Sequence, residues 1–338
     1  MDSINSTDYS LNSPSVRNST LFQEPVRIIV ASVLFMSFLI GLITNGFYLW
    51  ILKFKMKMTV NTLLFFHLIL SFFMSALTLP FVATTYLQNY HWSFGTLMCK
   101  VVNSTLSLGM FTSVFFLSTI SIDRYLLVLH PVWSQLHRTP RGASIIILGV
   151  WISAVALSMP YLLFRVTHEN NDGTVTCKNN YAVFSNGESE KMETLSQRIH
   201  LACFIGRFLA GFLLPFFVIT FCYERISNKV KKRGRHTSNK PFRVMVTAII
   251  SFFVCWMPYH IYQGLTVTRN QSLFLQLSLI LTLITTSFNS LFSPTLYLFT
   301  GENFKKVFKK SILALFESTF SEDSSAERTQ NLSLEVYI

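Results

Sequence analysis

Apolar residues occur along this chain in seven long runs, and a short polar segment separates each run from the next. A helix that crosses a membrane needs about 20 predominantly apolar residues, and each run is long enough. Because lipid offers no hydrogen-bond partners to the backbone, each run should be a helix. The runs, numbered here as spans one to seven, lie at about residues 27–52, 60–87, 97–129, 143–164, 200–226, 242–268 and 273–299.

Composition agrees with an all-α membrane protein built as a bundle of seven transmembrane helices. Of the 338 residues, 51% are hydrophobic and only 13% are charged, whereas a soluble domain carries about 25% charged residues. The polar surface is therefore too small for a soluble protein. The pattern leaves no separate soluble domain.

Basic residues set the expected orientation in the membrane. The net charge of +12 is concentrated in alternate loops, and loops rich in Lys and Arg face the cytoplasm. This charge therefore predicts topology and contact with anionic lipid rather than nucleic-acid binding. The residues concerned are Lys53, Lys55, Lys57, Arg138, Arg141, Lys229, Lys231, Lys232, Arg233, Arg235, Lys240, Arg243, Lys305, Lys306, Lys309 and Lys310.

The opposite side, with an N-terminal tail at residues 1–26, is then extracellular. Glycosylation sequons at Asn5, Asn18 and Asn270 fall on that side. No apolar run follows Met1, so we expect span one to act as a signal anchor. Cys99 and Cys177 also face this oxidising side, and we expect them to form a disulfide.

The sequence contains no enzymatic signature. It has no metal-ligand spacing and no nucleophile with a neighbouring base, so we expect neither a cofactor nor catalysis. The remaining cysteines lie within spans, and we expect them to pack as small apolar residues. A transporter or channel would need polar residues along a conduit, and the outer halves of the spans offer mainly Arg207.

Several motifs occur at particular ends of particular spans. Asp123-Arg124-Tyr125 ends span three, where an acid and a permanent cation meet the cytoplasmic face. Prolines within spans remove helical hydrogen bonds and permit kinks. The prolines and their aromatic neighbours are Pro215 and Tyr223 in span five, Trp256 and Pro258 in span six, and Pro294 and Tyr297 in span seven.

Together with Asn45 and Trp151, these motifs and the cysteine pair resemble the rhodopsin-like (class A) G-protein-coupled receptors over about residues 27–316. Three further segments resemble the chemoattractant branch of formyl-peptide, anaphylatoxin and chemerin-type receptors. These are His91-Trp92-Ser93-Phe94-Gly95, His130-Pro131-Val132-Trp133 and Gly301-Glu302-Asn303-Phe304.

The resemblance implies a plasma-membrane receptor that activates a heterotrimeric G protein, of the Gi class in this branch. It implies that Asp123 holds Arg124 at rest and that Arg124 reaches toward the G protein when active, while Tyr223 and Tyr297 turn inward. Residues 235–240 contain no acid to lock Arg124 from span six, so we expect a weaker resting lock. The alternative is an atypical receptor that recruits arrestin or internalises without G-protein signalling.

Arg207 is the strongest candidate for ligand binding. A charge within a span costs about 2.5–3.5 kcal/mol on insertion scales, and no Asp or Glu lies in the outer half of a span to offset it. We therefore expect an extracellular peptide or a small anionic ligand; the alternative is that Arg207 snorkels or bonds to backbone carbonyls. Alignment with the family adds Leu106, Ser107, Cys203 and Tyr259 as further candidates.

The chain is predicted to end in an amphipathic helix and a polar tail. Phe304, Phe308 and Ile312 recur at helical spacing among lysines, which is typical of a helix on the inner leaflet, here residues 300–316. Residues 317–338 are polar and expected to be disordered. Receptor kinases and arrestin are then potential partners, and the candidate phosphorylation sites are Ser318, Thr319, Ser321, Ser324 and Ser325.

Two departures from the family pattern predict insensitivity to sodium. Phe72 occupies the position of a buried aspartate in relatives, and Ser293 precedes Pro294 where relatives have asparagine or aspartate. Hard cations need oxygen ligands, and phenylalanine supplies none. Agonist affinity measured in sodium chloride and in choline chloride of equal ionic strength should be the same; a clear fall in sodium would contradict this.

Overall fold

Seven long helices follow one another in the order that the apolar runs predict, which confirms the seven-helix membrane fold. The computed structural model describes residues 14–181, 189–232, 240–268, 273–299, 304 and 306–313. Within them, spans one to five are long and apolar enough to cross a membrane. The helices are Pro14–Trp50, Val60–Ala76 with Leu79–Leu87, Gly95–Leu129, Pro140–Phe164, Ser189–Phe208 with Leu214–Lys232, Lys240–Val267 and Leu273–Phe299.

Two helices extend beyond the apolar runs that predicted them. Span one begins at Pro14 and continues after Trp50 through a π-helical turn, Ile51–Lys55, so residues 14–26 of the predicted tail are helical. Span five begins at Ser189 instead of residue 200. The apolar pattern marks the part of a helix that lipid surrounds, and the backbone ladder can continue past it into water.

Proline explains the irregular turns within spans two and five. Pro80 has no N–H to offer the carbonyl of Ala76, and the helix breaks at Leu77 and Thr78, where the Thr78 hydroxyl donates to the Ser75 carbonyl at 2.6 Å. Before Pro215 the chain forms a π-helical turn, Leu209–Leu213, closed by the Leu214 N–H donating to the Leu209 carbonyl. In both spans the regular helical hydrogen-bond pattern changes within a few residues before the proline.

A β-hairpin covers the outer end of span three. Strand β1 is Arg165–Glu169 and strand β2 is Val175–Asn179; they pair antiparallel with Thr167 opposite Cys177. The expected disulfide between Cys99 and Cys177 is present and joins β2 to span three.

Local hydrogen bonds hold the turn of this hairpin. Gly173 has φ of +76°, the left-handed region in which glycine is unstrained. Asp172 accepts from the Thr174 hydroxyl at 2.6 Å and from its N–H at 3.0 Å, and these bonds lower the pKa of the Asp172 carboxyl. A depressed folded pKa means that the turn keeps this stabilisation at neutral pH and loses it as pH falls through the folded value.

Span three lies at the centre of the bundle and packs against spans two, four and five. The largest fully buried side chains are Phe111 and Phe116 on span three and Phe252 on span six, packed among aliphatic residues. Spans six and seven pack together, and span seven also contacts span one. Residues 306–313 form a further helix, whose Phe308 packs on Phe47 of span one.

Spans two and three approach each other most closely at Gly109. A Cβ built on Gly109 would lie 1.8 Å from the Ser75 hydroxyl oxygen and 3.3 Å from the Ser71 carbonyl oxygen. Moving the Ser75 hydroxyl would relieve only the first of these contacts. The position therefore requires a residue without a side chain.

Gly109→Ala should destabilise the purified receptor by about 1–3 kcal/mol, the usual cost of overpacking a tight interface. Gly149→Ala in span four is the matched control, since a Cβ there meets nothing within 4 Å. Thermal unfolding in detergent micelles measures both. Equal unfolding temperatures for the two variants would contradict the close approach.

Candidate functional site

The Asp123-Arg124-Tyr125 motif lies at the inner end of span three, and the structure gives its acid an unpredicted partner. Asp123 Oδ1 accepts from Arg138 Nε at 2.7 Å, and Oδ2 accepts from Arg138 Nη2 at 3.1 Å. In the described residues Asp123 therefore forms a bidentate ion pair with an arginine of the following loop, and not with Arg124, the partner that the resemblance implies for the resting state. Sequence reasoning used Arg138 only as a topological charge, because loop geometry decides which cation reaches the carboxylate.

Arg124 itself lies in the last turns of the span three helix and is partly buried. Its Nε has no hydrogen-bond partner within the described part of the chain. The Tyr223 hydroxyl from span five lies beside Ser121 and Arg124, while Tyr125 packs its ring 6.0 Å from Phe221. Two of the predicted switch tyrosines therefore flank this end of span three.

Trp256 and Pro258 lie in span six above an aromatic core. The Trp256 ring packs 6.0 Å from Phe252 and 5.5 Å from Tyr259. Pro258 leaves the Val254 carbonyl without its helical donor, and one residue further on the Thr285 hydroxyl of span seven donates to the Cys255 carbonyl at 2.8 Å. This link between spans six and seven was not predicted, since a threonine in an apolar span carries no distinctive signal.

The position that relatives use for sodium is apolar here. Phe72 is 3% exposed and belongs to the core between spans two and three. Ser113, nearby on span three, donates its hydroxyl to the Met110 carbonyl of its own helix at 2.9 Å. In the same core the Trp151 indole donates to His67 Nδ1 at 3.2 Å and ties span four to span two.

Arg207 lies in the outer half of span five with 7% of its surface exposed. Its guanidinium carbon is 4.5 Å from the centre of the Tyr161 ring, an attractive cation–π distance. Its Nε has no hydrogen-bond partner, and neither ion pair among the described residues involves it. The side chain is therefore buried against an aromatic face and not drawn outward to water.

Polar groups from three other elements converge on Tyr161. Its hydroxyl lies 2.8 Å from that of Tyr259 and accepts from Gln263 Nε2 at 3.4 Å. Arg165 of β1 lies 5.5 Å from the same ring and donates to the Cys177 carbonyl at 3.0 Å. We call these residues, with Arg207, the outer cluster; Tyr161, Arg165 and Gln263 were not predicted, although the spacing of Tyr259 and Gln263 along one helical face could have indicated a polar stripe.

The remaining ligand candidates lie on spans five and three. Cys203 is half-buried, one turn outward of Arg207 on span five. Ser107 is buried with no hydrogen-bond partner for its hydroxyl among the described residues, and Leu106 packs near the disulfide. In the loop above, burial raises the pKa of Tyr181 to about 12, so this ring is neutral at physiological pH.

Other predicted residues have undescribed side chains or lie outside the described residues. Pro294 and Tyr297 are in the helix of span seven and Asn18 in that of span one, without described side chains. In the described ranges no group of three or more His, Cys, Asp or Glu is placed to hold a metal ion. The sites that lie outside are Asn5, Asn270, Ser318, Thr319, Ser321, Ser324 and Ser325.

Comparison with known proteins gives consistent matches along the whole chain. A family model described as the seven-transmembrane receptors of the rhodopsin family matches residues 44–297. "Probable G-protein coupled receptor 33" of Homo sapiens is 70% identical over 332 residues, covering 98% of this chain and 100% of the relative; the Mus musculus protein of that name is 61% identical over 340 residues, covering 100% of both. "Chemerin-like receptor 1" of Homo sapiens is 38% identical over 313 residues, covering 90% of this chain and 83% of the relative.

Two substitutions of Tyr161 should separate its hydroxyl from its ring. Tyr161→Phe removes the bond to Tyr259 and should cost about 1 kcal/mol of unfolding free energy. Tyr161→Leu also removes the face beneath Arg207, which should add about 0.5–2 kcal/mol. Thermal unfolding of purified receptor measures both. Equal unfolding free energies for Tyr161→Phe and Tyr161→Leu would show that the ring does not stabilise the buried guanidinium of Arg207.

Proposed function

Because the chain belongs to the rhodopsin family of seven-transmembrane receptors, we propose that it is a chemoattractant-type receptor that activates a Gi-class G protein. It is a multi-pass plasma-membrane receptor and not an enzyme. Its proposed ligand is an extracellular peptide or a small anionic molecule. The similarity to a protein named for chemerin supports the chemoattractant branch, and the Gi class follows from that resemblance.

Arg207 is the observation that carries the ligand proposal. A guanidinium buried to 7% exposure without a carboxylate partner in the described residues is costly unless something else neutralises it. The Tyr161 ring offsets part of the Arg207 charge through the cation–π contact, and the Nε–H of Arg207 has no acceptor among the described residues. A carboxylate or other anionic group on a ligand would neutralise the charge of Arg207 and accept a hydrogen bond from its Nε–H.

The proposed orientation places the N-terminus outside and the C-terminus in the cytoplasm. The basic loops support this, as does the disulfide at the hairpin end of span three. N-glycans are proposed at Asn5, Asn18 and Asn270. On the opposite face Lys306, Lys309 and Lys310 are exposed while Phe304 is buried, an arrangement that suits a helix on the anionic inner leaflet.

Receptor kinases and arrestin are the proposed partners of the C-terminal tail, through the serines and threonine named above. A second candidate function is an atypical receptor that recruits arrestin without activating a G protein. The burial of Phe72 in the core favours it, because relatives have a carboxylate there. The presence of Arg124, Tyr223 and Tyr297 favours the coupled receptor.

Suppression of cAMP and recruitment of arrestin, measured in the same cells with and without chemoattractant peptides, should separate the two functions. We expect a Gi signal from the wild-type receptor that Arg124→Ala abolishes at equal surface expression. Arrestin recruitment without a Gi signal would instead support the atypical receptor. Retention of the Gi signal by Arg124→Ala would contradict the role proposed for Arg124.

Arg207→Gln should reduce the potency of an activating anionic peptide by about tenfold or more, as expected when a buried charge pair loses one member. Arg207→Lys should restore part of the potency, because it keeps the charge but not the planar donors. Arg198→Gln is the matched control, an exposed arginine of the same span. Equal losses in the Arg198 and Arg207 variants would contradict a specific site.

A further inference from the structure

Arg138 occupies a backbone position that is fixed from both sides. It follows a short helix of the second inner loop, Pro131–His137, and its N–H donates to the Ser134 carbonyl at 3.0 Å. The next residue, Thr139, caps span four by accepting the Gly142 N–H at 3.2 Å, and Pro140 begins the helix. The side chain therefore starts from a rigid junction and not from a free loop.

From this junction the guanidinium reaches two other spans. Its Nε and Nη2 donate to the two oxygens of Asp123 at 2.7 and 3.1 Å, and Nη2 also donates to Asn61 Oδ1 on span two at 2.6 Å. The side chains of Arg138 and Asp123 are 23% and 13% exposed. Partial burial and bidentate geometry make this pair stronger than a surface ion pair.

The ion pair between Asp123 and Arg138 reduces the partners available to the neighbouring Arg124. Both oxygens of Asp123 are engaged by Arg138, and the buried Nε of Arg124 has no partner within the described residues. Span six offers no substitute, since residues 235–240 contain no acid. A carboxylate whose two oxygens already accept hydrogen bonds from one guanidinium pairs only weakly with a second cation.

We propose that Arg138 is a positioning residue for G-protein activation. It holds the Asp123 carboxylate in a bidentate ion pair, so that Asp123 still acts on Arg124 through its charge but does not pair with it, and Arg124 stays available to the G protein. Asn61 orients the Arg138 guanidinium toward the carboxylate. The proposal rests on coupling to a G protein, as in the proposed function, but not on the Gi class or on the ligand.

Arg138→Gln removes the cation and should return Asp123 to Arg124. Ligand-independent nucleotide exchange, measured with purified receptor in nanodiscs and Gα subunits of each class, should fall by about fivefold or more, the lower range of site-to-site coupling. Arg141→Gln is the matched control, because Arg141 is an exposed cation three residues further on; it should keep wild-type exchange.

The double variant Asp123→Asn/Arg138→Gln separates this role from simple anchoring of the loop. If Arg138 acts by sequestering the carboxylate, removing the carboxylate as well should restore the exchange lost in Arg138→Gln. If Arg138 only anchors the loop, the double variant should be as low as Arg138→Gln, and the proposal is overturned. Wild-type exchange in Arg138→Gln would also overturn it.

A conformational measurement keeps the proposal testable without any G protein. Spin labels at the inner ends of spans three and six report the outward position of span six by electron–electron distance measurement. Arg138→Gln should shift the distance distribution toward the closed position, and the double variant should reverse the shift. If these shifts occur while no Gα subunit responds, Arg138 positions Asp123 but its proposed role in G-protein activation is overturned; unchanged distances in all variants would also overturn it.

Discussion

The whole structure depends on one constraint, that lipid cannot hydrogen-bond to the backbone, so the chain must satisfy its own amides and carbonyls. Proline removes a donor at several depths, and a different irregular turn or side-chain hydrogen bond lies near each proline. A threonine hydroxyl caps the broken turn before Pro80, and a π-helical turn precedes Pro215. At Pro258 the support comes from another helix, through the Thr285 hydroxyl on the Cys255 carbonyl. Hydrogen bonds outside the regular helical pattern therefore occur near the prolines of spans two, five and six.

Two polar arrangements lie at opposite ends of the bundle. The outer cluster joins spans four, five and six with β1 through Tyr161, while the inner pair of Asp123 and Arg138 joins span three to the second inner loop. Between them lie Phe111, Phe116 and Trp256. Trp256 packs against the hydrophobic clusters that contain Phe111 and Phe116.

The inner end illustrates how a family motif depends on its surroundings. In a triplet of acid, arginine and tyrosine, the acid can form an ion pair with the neighbouring arginine or with another cation. The sequence of the triplet does not determine which partner it takes. Here Arg138 lies at the junction between the loop helix Pro131–His137 and span four, and from there its side chain contacts the Asp123 carboxylate. The balance between the two arginines is electrostatic, so single charges can shift it without altering the fold.

The sequence by itself determined the seven helices, their order, the disulfide partners and the side of the membrane expected for each loop, because these follow from apolar length, charge and compartment. It also indicated Arg207, since an unpaired charge in an apolar run is visible without coordinates. Only the tertiary structure decided that Tyr161 lies beneath Arg207, that β1 pairs with β2, and that Asp123 binds Arg138. These contacts join residues distant along the chain, and their partners are chosen by how the helices pack, which no local pattern records.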